Sequence, residues 1–324
     1  MEKLKICVTG ANGFIGRKLV HILSKQGHNV TILSRKDNWV IPTPSNVKLI
    51  KGDLTSVDCP LAQFVDDCDI IYHCAGEINH PEMMKALHVD GTHRLIQAVL
   101  KRADQRGRPI HWVQLSSVGV YGPPQDNANE ERVVIETSPY QPKGEYEITK
   151  KQSDDLVIHA ADSKLMTYTI IRPSNVFGVD MPNSALRLLV NTVRRGRFFY
   201  IGRKGAVATY VHVDDVVDLL ICCGTDHRAK DEIFNISNDC MLEEMINGIA
   251  STHNLKRPKL RLSEDLIRSL VRVMSFFVSL PLTPERINTL VARTTYSTSK
   301  LKQKLGFIPK KSVRTAISEV IYTK

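Results

Sequence analysis

Eight residues near the N-terminus, Thr9-Gly10-Ala11-Asn12-Gly13-Phe14-Ile15-Gly16, constrain this chain more than any other feature. They follow a short apolar run, Lys5–Val8, and open a segment whose Ile15, Leu19, Ile22 and Leu23 recur at helical spacing, before Asn29–Leu33 turns strand-like again. Strand, glycine turn, helix and strand make a βαβ unit. Gly10 permits the tight turn, Gly13 lets backbone N–H groups approach an anion, and Gly16 allows the helix to lie close to the strand. An anion held there meets the unpaired N–H groups and the positive end of a helix dipole. The loop, with Asn12, Phe14 and Ile15, is therefore read as a pyrophosphate cradle, although its glycines run GxxGxxG and not the commoner GxGxxG.

The same alternation continues through Val47–Ile50, Ile70–His73, a helical stretch near Pro81–Lys101, Ile110–Leu115, a helix around Tyr146–Ala160 and Thr167–Ile171. Alternating elements of this kind imply an α/β fold, a Rossmann-type doubly wound parallel sheet covered on both faces. After Pro173 the rhythm loosens into a helix near Ser184–Arg195, a strand over Val207–Val213, a helix at Val216–Cys223 and a strand at Glu232–Ile236. Two lobes are expected: residues 1–173 plus 207–236 as the dinucleotide-binding part, and 174–206 plus 237–324 as a smaller, mostly helical substrate lobe. A chain of 324 residues buries cores of that size without staples.

Composition narrows the setting. Seven cysteines, odd in number and without a CxxC pair, disfavour a disulfide framework and a zinc site, so no metal is expected and a reducing cytoplasm fits best. Met1–Lys5 runs into Ile6-Cys7-Val8 with no signal-peptide pattern, and the apolar stretch Leu266–Leu282 is interrupted by Arg268, Arg272 and Pro281. The formal charge of +10 has one source, because residues 251–324 hold 15 basic and 4 acidic side chains. No basic-aromatic interleaving accompanies that bias, and nucleic acid is not an expected partner. Leu266, Leu270, Val273, Phe277 and Leu280, with Arg268 and Arg272 interspersed, suit core or dimer packing, or a peripheral membrane contact through 264–282. A homodimer is expected.

Chemistry-bearing residues stand downstream of the cradle. Tyr146 and Lys150, at i and i+4, share one helix face. An ammonium there favours the phenolate and would draw the tyrosine pKa from about 10 toward neutrality, so that it can exchange a proton with a hydroxyl or carbonyl. Upstream, Gln114-Leu115-Ser116-Ser117-Val118-Gly119-Val120-Tyr121-Gly122 ends a buried strand, at the sheet edge where ligands bind in open parallel sheets.

Together, TGANGFIG, Ser116-Ser117, the Tyr146/Lys150 pair, Arg172-Pro173-Ser174-Asn175-Val176-Phe177-Gly178 and Tyr210-Val211-His212-Val213-Asp214-Asp215 resemble the extended short-chain dehydrogenase/reductase family over nearly the whole chain. That family includes NAD(P)-dependent nucleotide-sugar epimerases, dehydratases and ketoreductases. The resemblance implies that Ser117 hydrogen-bonds the reacting oxygen, Tyr146 exchanges the proton and Lys150 holds the nicotinamide ribose. It places Asp53 and Leu54 at the adenine, Cys74, Ala75 and Gly76 along the cofactor, Pro173 beside the nicotinamide and Asn175 on the sugar nucleotide. Asp53 reads equally well as a turn cap, Asn175 as a turn residue, and Asp214 with Asp215 as helix caps. Where an acid would meet a free ribose 2′-hydroxyl, this chain has Ser34-Arg35-Lys36, which suits a 2′-phosphate and favours NADP(H) over NAD(H).

Three departures qualify the resemblance. Ala208 stands where nucleotide-sugar members commonly carry a diphosphate-binding arginine, leaving Arg203 or Lys204 to substitute. His88 replaces the usual asparagine. Val118-Gly119 lacks the dehydratase Asp-Glu pair. Expected, then, is an epimerase or ketoreductase acting by hydride transfer at a nucleotide-sugar carbon, C4 by family habit. The segment from Pro281 to Phe307 resembles polysaccharide-pathway members and points to cell-surface glycan precursors. A reductase of a small apolar carbonyl compound, steroid- or flavonoid-reductase-like, would explain Ala208 and His88. A non-catalytic dinucleotide sensor is the remaining alternative.

Overall fold

A computed structural model describes residues 3–36, 44–123, 130–182, 184–274 and 282–321. Its centre is a sheet of β1 (Lys5–Thr9), β2 (Asn29–Ser34), β3 (Val47–Lys51), β4 (Ile70–His73), β5 (Ile110–Leu115), β6 (Met166–Pro173) and β7 (Glu232–Ile236). All pairings are parallel, in the order β7-β6-β5-β4-β1-β2-β3. Every residue of β4 and β5 is buried, as befits strands covered on both faces.

Successive side chains of a strand point to opposite faces, and β1 feeds both cores. Val8 joins Leu19, Leu23, Val216 and Leu220 beneath helices α1 (Phe14–Lys25) and α5 (Val213–Thr225). Cys7 joins Leu95, Val99, Trp112 and Val157 beneath α2 (Thr92–Arg106) and α3 (Glu145–Ala161). A separate cluster packs α4 (Ser184–Arg194), α6 (Leu242–Thr252) and α10 (Val313–Ile321) around Phe198 and Tyr200. Helices α7 (Glu264–Met274) and α8 (Pro284–Val291) bury Ile267, Val271, Ile287 and Val291 against Ile201. In α9 (Ser299–Leu305), Leu301 and Leu305 enter the first-face core of the sheet, so this part of the tail packs on the central sheet.

Several local expectations shift. The stretch near Pro81–Lys101 is a short helix, Pro81–Lys85, a π-helical segment, Ala86–Gly91, and then α2. The strand expected over Val207–Val213 is two: Val207–Ala208 pairs with Cys240–Met241, while Tyr210–His212 pairs with Asn175–Phe177. Between them the Thr209 carbonyl accepts from the Asn175 N–H at 3.2 Å, which redirects the chain. Asp214 and Asp215 are not the cap of α5. His212 is, its Nδ1 accepting from Asp214 N at 3.1 Å. Asp215 instead accepts from Lys310 N and Lys311 N at 2.8 and 3.0 Å and ties down the C-terminal segment. On α7, Leu266, Leu270 and Val273 are exposed; Phe277, Leu280 and Pro281 lie outside the described residues. Among the described residues no helix is long and apolar enough to cross a membrane.

Candidate active site

Strand order reverses between β1 and β4, and the crevice outside their carboxyl ends is where open α/β sheets bind ligands. A cleft of about 370 Å³ lies there. Of the residues expected at the cofactor, Gly10, Asn12, Gly13, Ser34, Arg35, Asp53, Leu54, Cys74, Ala75 and Gly76 line it. The glycines earn their places sterically. Gly10 has φ +66°, and a Cβ on it would stand 2.5 Å from the Cys74 carbonyl; one on Gly16 would stand 2.2 Å from Gly10 O. Gly13 N-caps α1 in extended backbone without a side-chain cap, which leaves the start of the helix to an anion. Phe14 is not among the lining residues and packs against the cluster that contains Phe177.

At the far end, Asn12 Nδ2 donates to Ser34 Oγ at 2.6 Å, fastening the glycine loop to the end of β2. Arg35 and Lys36 stand exposed on the rim. Asp53 both lines the cleft and caps the next turn, its Oδ1 accepting from Thr55 N and Thr55 Oγ1 at 2.9 and 2.8 Å. A nicotinamide dinucleotide fits the cradle, because the space beside Gly13 and Gly76 is space that side chains would fill: a Cβ would meet Gly10 O at 3.1 Å and Lys150 Nζ at 3.4 Å respectively.

The three residues singled out for chemistry come together from two elements. Ser117 follows β5 and caps a short 3-10 turn, Val118–Tyr121, by accepting from Gly119 N at 3.1 Å. Its hydroxyl stands near enough to Tyr146, which α3 carries with Lys150, to act on that phenol's pKa. Lys150 is buried and its Nζ donates to Leu115 O at 3.0 Å and Ala75 O at 3.5 Å. Burial lowers its pKa, and the nearby Asp154 carboxylate pulls the other way. One electrostatic expectation is overturned in this state of the chain: burial pushes the Tyr146 phenol up to about 12, opposed by the nearby Ser117 hydroxyl. The Lys150 ammonium is committed to two backbone carbonyls and does not offset the phenol's desolvation.

Behind this trio lies a buried polar layer that sequence reasoning missed. Asp154, one helical turn beyond Lys150, accepts from Ser116 Oγ at 2.8 Å and from Arg172 Nε and Nη2 at 3.2 and 3.0 Å. Both members of the pair are fully buried. Burial pushes the carboxyl's pKa upward, and the Arg172 guanidinium and the Ser116 hydroxyl pull against that rise. Arg172 also donates to the hydroxyls of Tyr121 and Tyr140 at 3.0 and 3.1 Å. The i+4 spacing of Asp154 from Lys150 was the available signal.

The remaining candidates scatter. Pro173 ends β6. Asn175 is exposed, and its Nδ2 donates to Thr209 O at 3.1 Å. Ala208 is buried in the cluster packed by α4, α6 and α10, while Arg203 and Lys204 are exposed on the preceding turn.

The glycine turn, the cleft at the strand-order reversal and the nearby serine, tyrosine and lysine are the features that the comparisons bear on. The chain belongs to the NAD dependent epimerase/dehydratase family, whose model matches residues 6–237, and is an enzyme of the extended short-chain dehydrogenase/reductase type. A 3 beta-hydroxysteroid dehydrogenase/Delta 5→4-isomerase of Mycobacterium tuberculosis is 25% identical, over 98% of this chain and 89% of its own. Among solved structures, the UDP-glucose 4-epimerase of Thermotoga maritima with UDP-glucose aligns with a TM-score of 0.74 at 19% identity, covering 98% of both chains. The UDP-glucuronic acid 4-epimerase of Bacillus cereus in complex with NAD aligns with a TM-score of 0.72 at 18% identity, covering 98% of this chain and 95% of the other.

Proposed function

We propose that this enzyme transfers hydride between NADP(H) and the C4 carbon of a nucleotide-linked sugar, as an epimerase or ketoreductase supplying a cell-surface glycan precursor. The hydride-transfer part is supported by Lys150, which stands behind Gly76 of the cleft wall and shares a helix face with Tyr146, itself near Ser117. Ser117 would donate to the reacting oxygen and Tyr146 would pass it a proton, with Lys150 holding the ribose hydroxyls. When bound, the cofactor supplies the hydride. Likeness to UDP-sugar epimerases over the whole chain, second lobe included, supports the substrate class, and the exposed Arg203 and Lys204 are the proposed diphosphate contacts. The exposed Arg35 on the rim supports the NADP(H) preference. Arg35→Ala should weaken NADPH binding about tenfold and leave NADH binding within twofold; equal affinities of the parent for the two cofactors would sink that preference.

A second reading, a dehydrogenase of an apolar hydroxyl or ketone compound, is favoured by the full-length hydroxysteroid dehydrogenase relative and by the buried Ala208. Thermal unfolding with UDP separates the two, since a ligand bound only by the folded state must raise stability. A shift with UDP, together with NADPH oxidation by a UDP-4-keto sugar, is the expected result. No shift with any nucleoside diphosphate would move the assignment to the apolar substrate.

A further inference from the structure

His88 occupies the middle of the π-helical segment Ala86–Gly91, and such segments recur at functional sites. Its ring is buried between two parts of the site. Nε2 accepts from Glu77 N at 2.9 Å, and Nδ1 lies 2.9 Å from Thr149 Oγ1. The backbone N–H can only donate, so Nε2 bears no proton and Nδ1–H donates to Thr149. The Thr149 hydroxyl in turn donates to Glu145 O at 2.7 Å, one turn back along α3. Every hydrogen bond in this line runs in one direction and requires a neutral ring. Burial and the Lys150 charge keep it so, holding the imidazole down at about 3.

Both ends of the line belong to the site. Glu77 closes the turn after β4, its Oε1 accepting from Ile78 N and Asn79 N at 2.9 and 2.8 Å; Ala75, Gly76 and Glu77 line the cleft. Thr149 immediately precedes Lys150, and the His88 ring meets the Tyr146 ring edge-on with centroids 5.7 Å apart. A Cβ on Gly76 would stand 3.6 Å from His88 Nε2 and 3.4 Å from Lys150 Nζ, so imidazole and ammonium both approach the same turn.

We propose that His88 is a positioning residue that clamps the cofactor-facing turn Ala75–Glu77 to the helix bearing Tyr146 and Lys150, so that cofactor and proton donor are held in one register. The inference rests on the proposed hydride-transfer role of that helix. NADPH fluorescence titration and steady-state kinetics on the full chain test it. His88→Ala should raise the Kd for NADPH about tenfold and lower kcat about 100-fold, the scale of a misplaced reacting group. His88→Gln, whose Oε1 can accept from Glu77 N, should restore most of the binding. Thr149→Val leaves the Glu77 bond intact; it should lower kcat about tenfold with Kd within twofold, and it serves if His88→Ala does not fold. A lower Tm in His88→Ala and Thr149→Val with Kd and kcat per folded molecule within twofold of the parent would overturn the clamp, because that is what a merely structural histidine does. A parent chain that binds neither NADPH nor NADH would instead overturn the reading of the cleft itself, and the clamp with it.

Discussion

Tyr146 and Lys150 are one helical turn apart, and that spacing is legible in the sequence because a helix puts i and i+4 on one face. What the sequence misjudged was their electrostatics. Proximity of an ammonium argues for a lowered phenol pKa, yet burial wins and the phenol stands at about 12. At neutral pH the phenol is therefore protonated until ligands change its surroundings. Tyr146→Phe should lower kcat by about 100-fold or more while NADPH binding stays within a few fold, as measured by fluorescence titration beside steady-state rates. Near-parental turnover in that variant would remove Tyr146 from the proposed chemistry. His88, by contrast, stood in the sequence only as an odd residue; its partners Glu77 and Thr149 are 11 and 61 positions away, and only folding brings them to one ring.

Among the elements, the glycine turn and the strands around it were the most legible, since a parallel sheet buried on both faces writes itself as short apolar runs. The π-helical segment before α2 was not, because hydrophobic periodicity averaged over a long helix hides one widened turn. The strand over Val207–Val213 failed for a related reason: its two halves pair with different segments, Cys240–Met241 and Asn175–Phe177, both distant along the chain. The glycine turn makes a sharp prediction. Gly10→Ala would place a Cβ 2.5 Å from the Cys74 carbonyl in left-handed backbone, and should cost at least about 2 kcal/mol in urea unfolding together with the loss of NADPH binding. A variant of parental stability would mean that the loop adopts another backbone in solution.

At the scale of the whole molecule, the basic tail has a use that its charge alone does not suggest. Lys300 and Lys304 pair with Glu232, and Lys311 pairs with Asp214 and Glu319, so part of the tail's excess is spent fastening α9 and the segment after it to the sheet side of the protein. Asp215 completes that attachment through Lys310 N and Lys311 N. Asp215→Ala leaves both donors unpaired; we expect a loss of about 2 kcal/mol and faster proteolysis near the C-terminus, and unchanged cleavage would argue that the tail is held elsewhere. Stability should also depend on pH through buried histidines. Burial holds His73 and His88 down at about 3 and His111 at about 4, below the ordinary value of about 6.5 that the unfolded chain regains. As pH falls below about 6.5 the unfolded chain takes up protons that the folded one refuses, so stability declines from there toward pH 4, by up to about 1.4 kcal/mol per pH unit for each histidine. Urea unfolding at pH 7, 6 and 5 measures this; a flat profile would mean that the rings open to solvent.

By itself the sequence determined what local pattern can determine: the βαβ rhythm, the glycine turn that opens α1, and the i, i+4 tyrosine and lysine after a strand-end serine. These depend on backbone geometry and short-range spacing, which the order of residues states directly. Only the tertiary structure decided that Tyr146 is held as a neutral phenol, that His88 joins the cofactor-facing turn to α3, and that the tail's lysines act as fastenings. Each of those depends on burial or on partners distant along the chain, and desolvation and long-range contacts exist only once the chain has closed on itself.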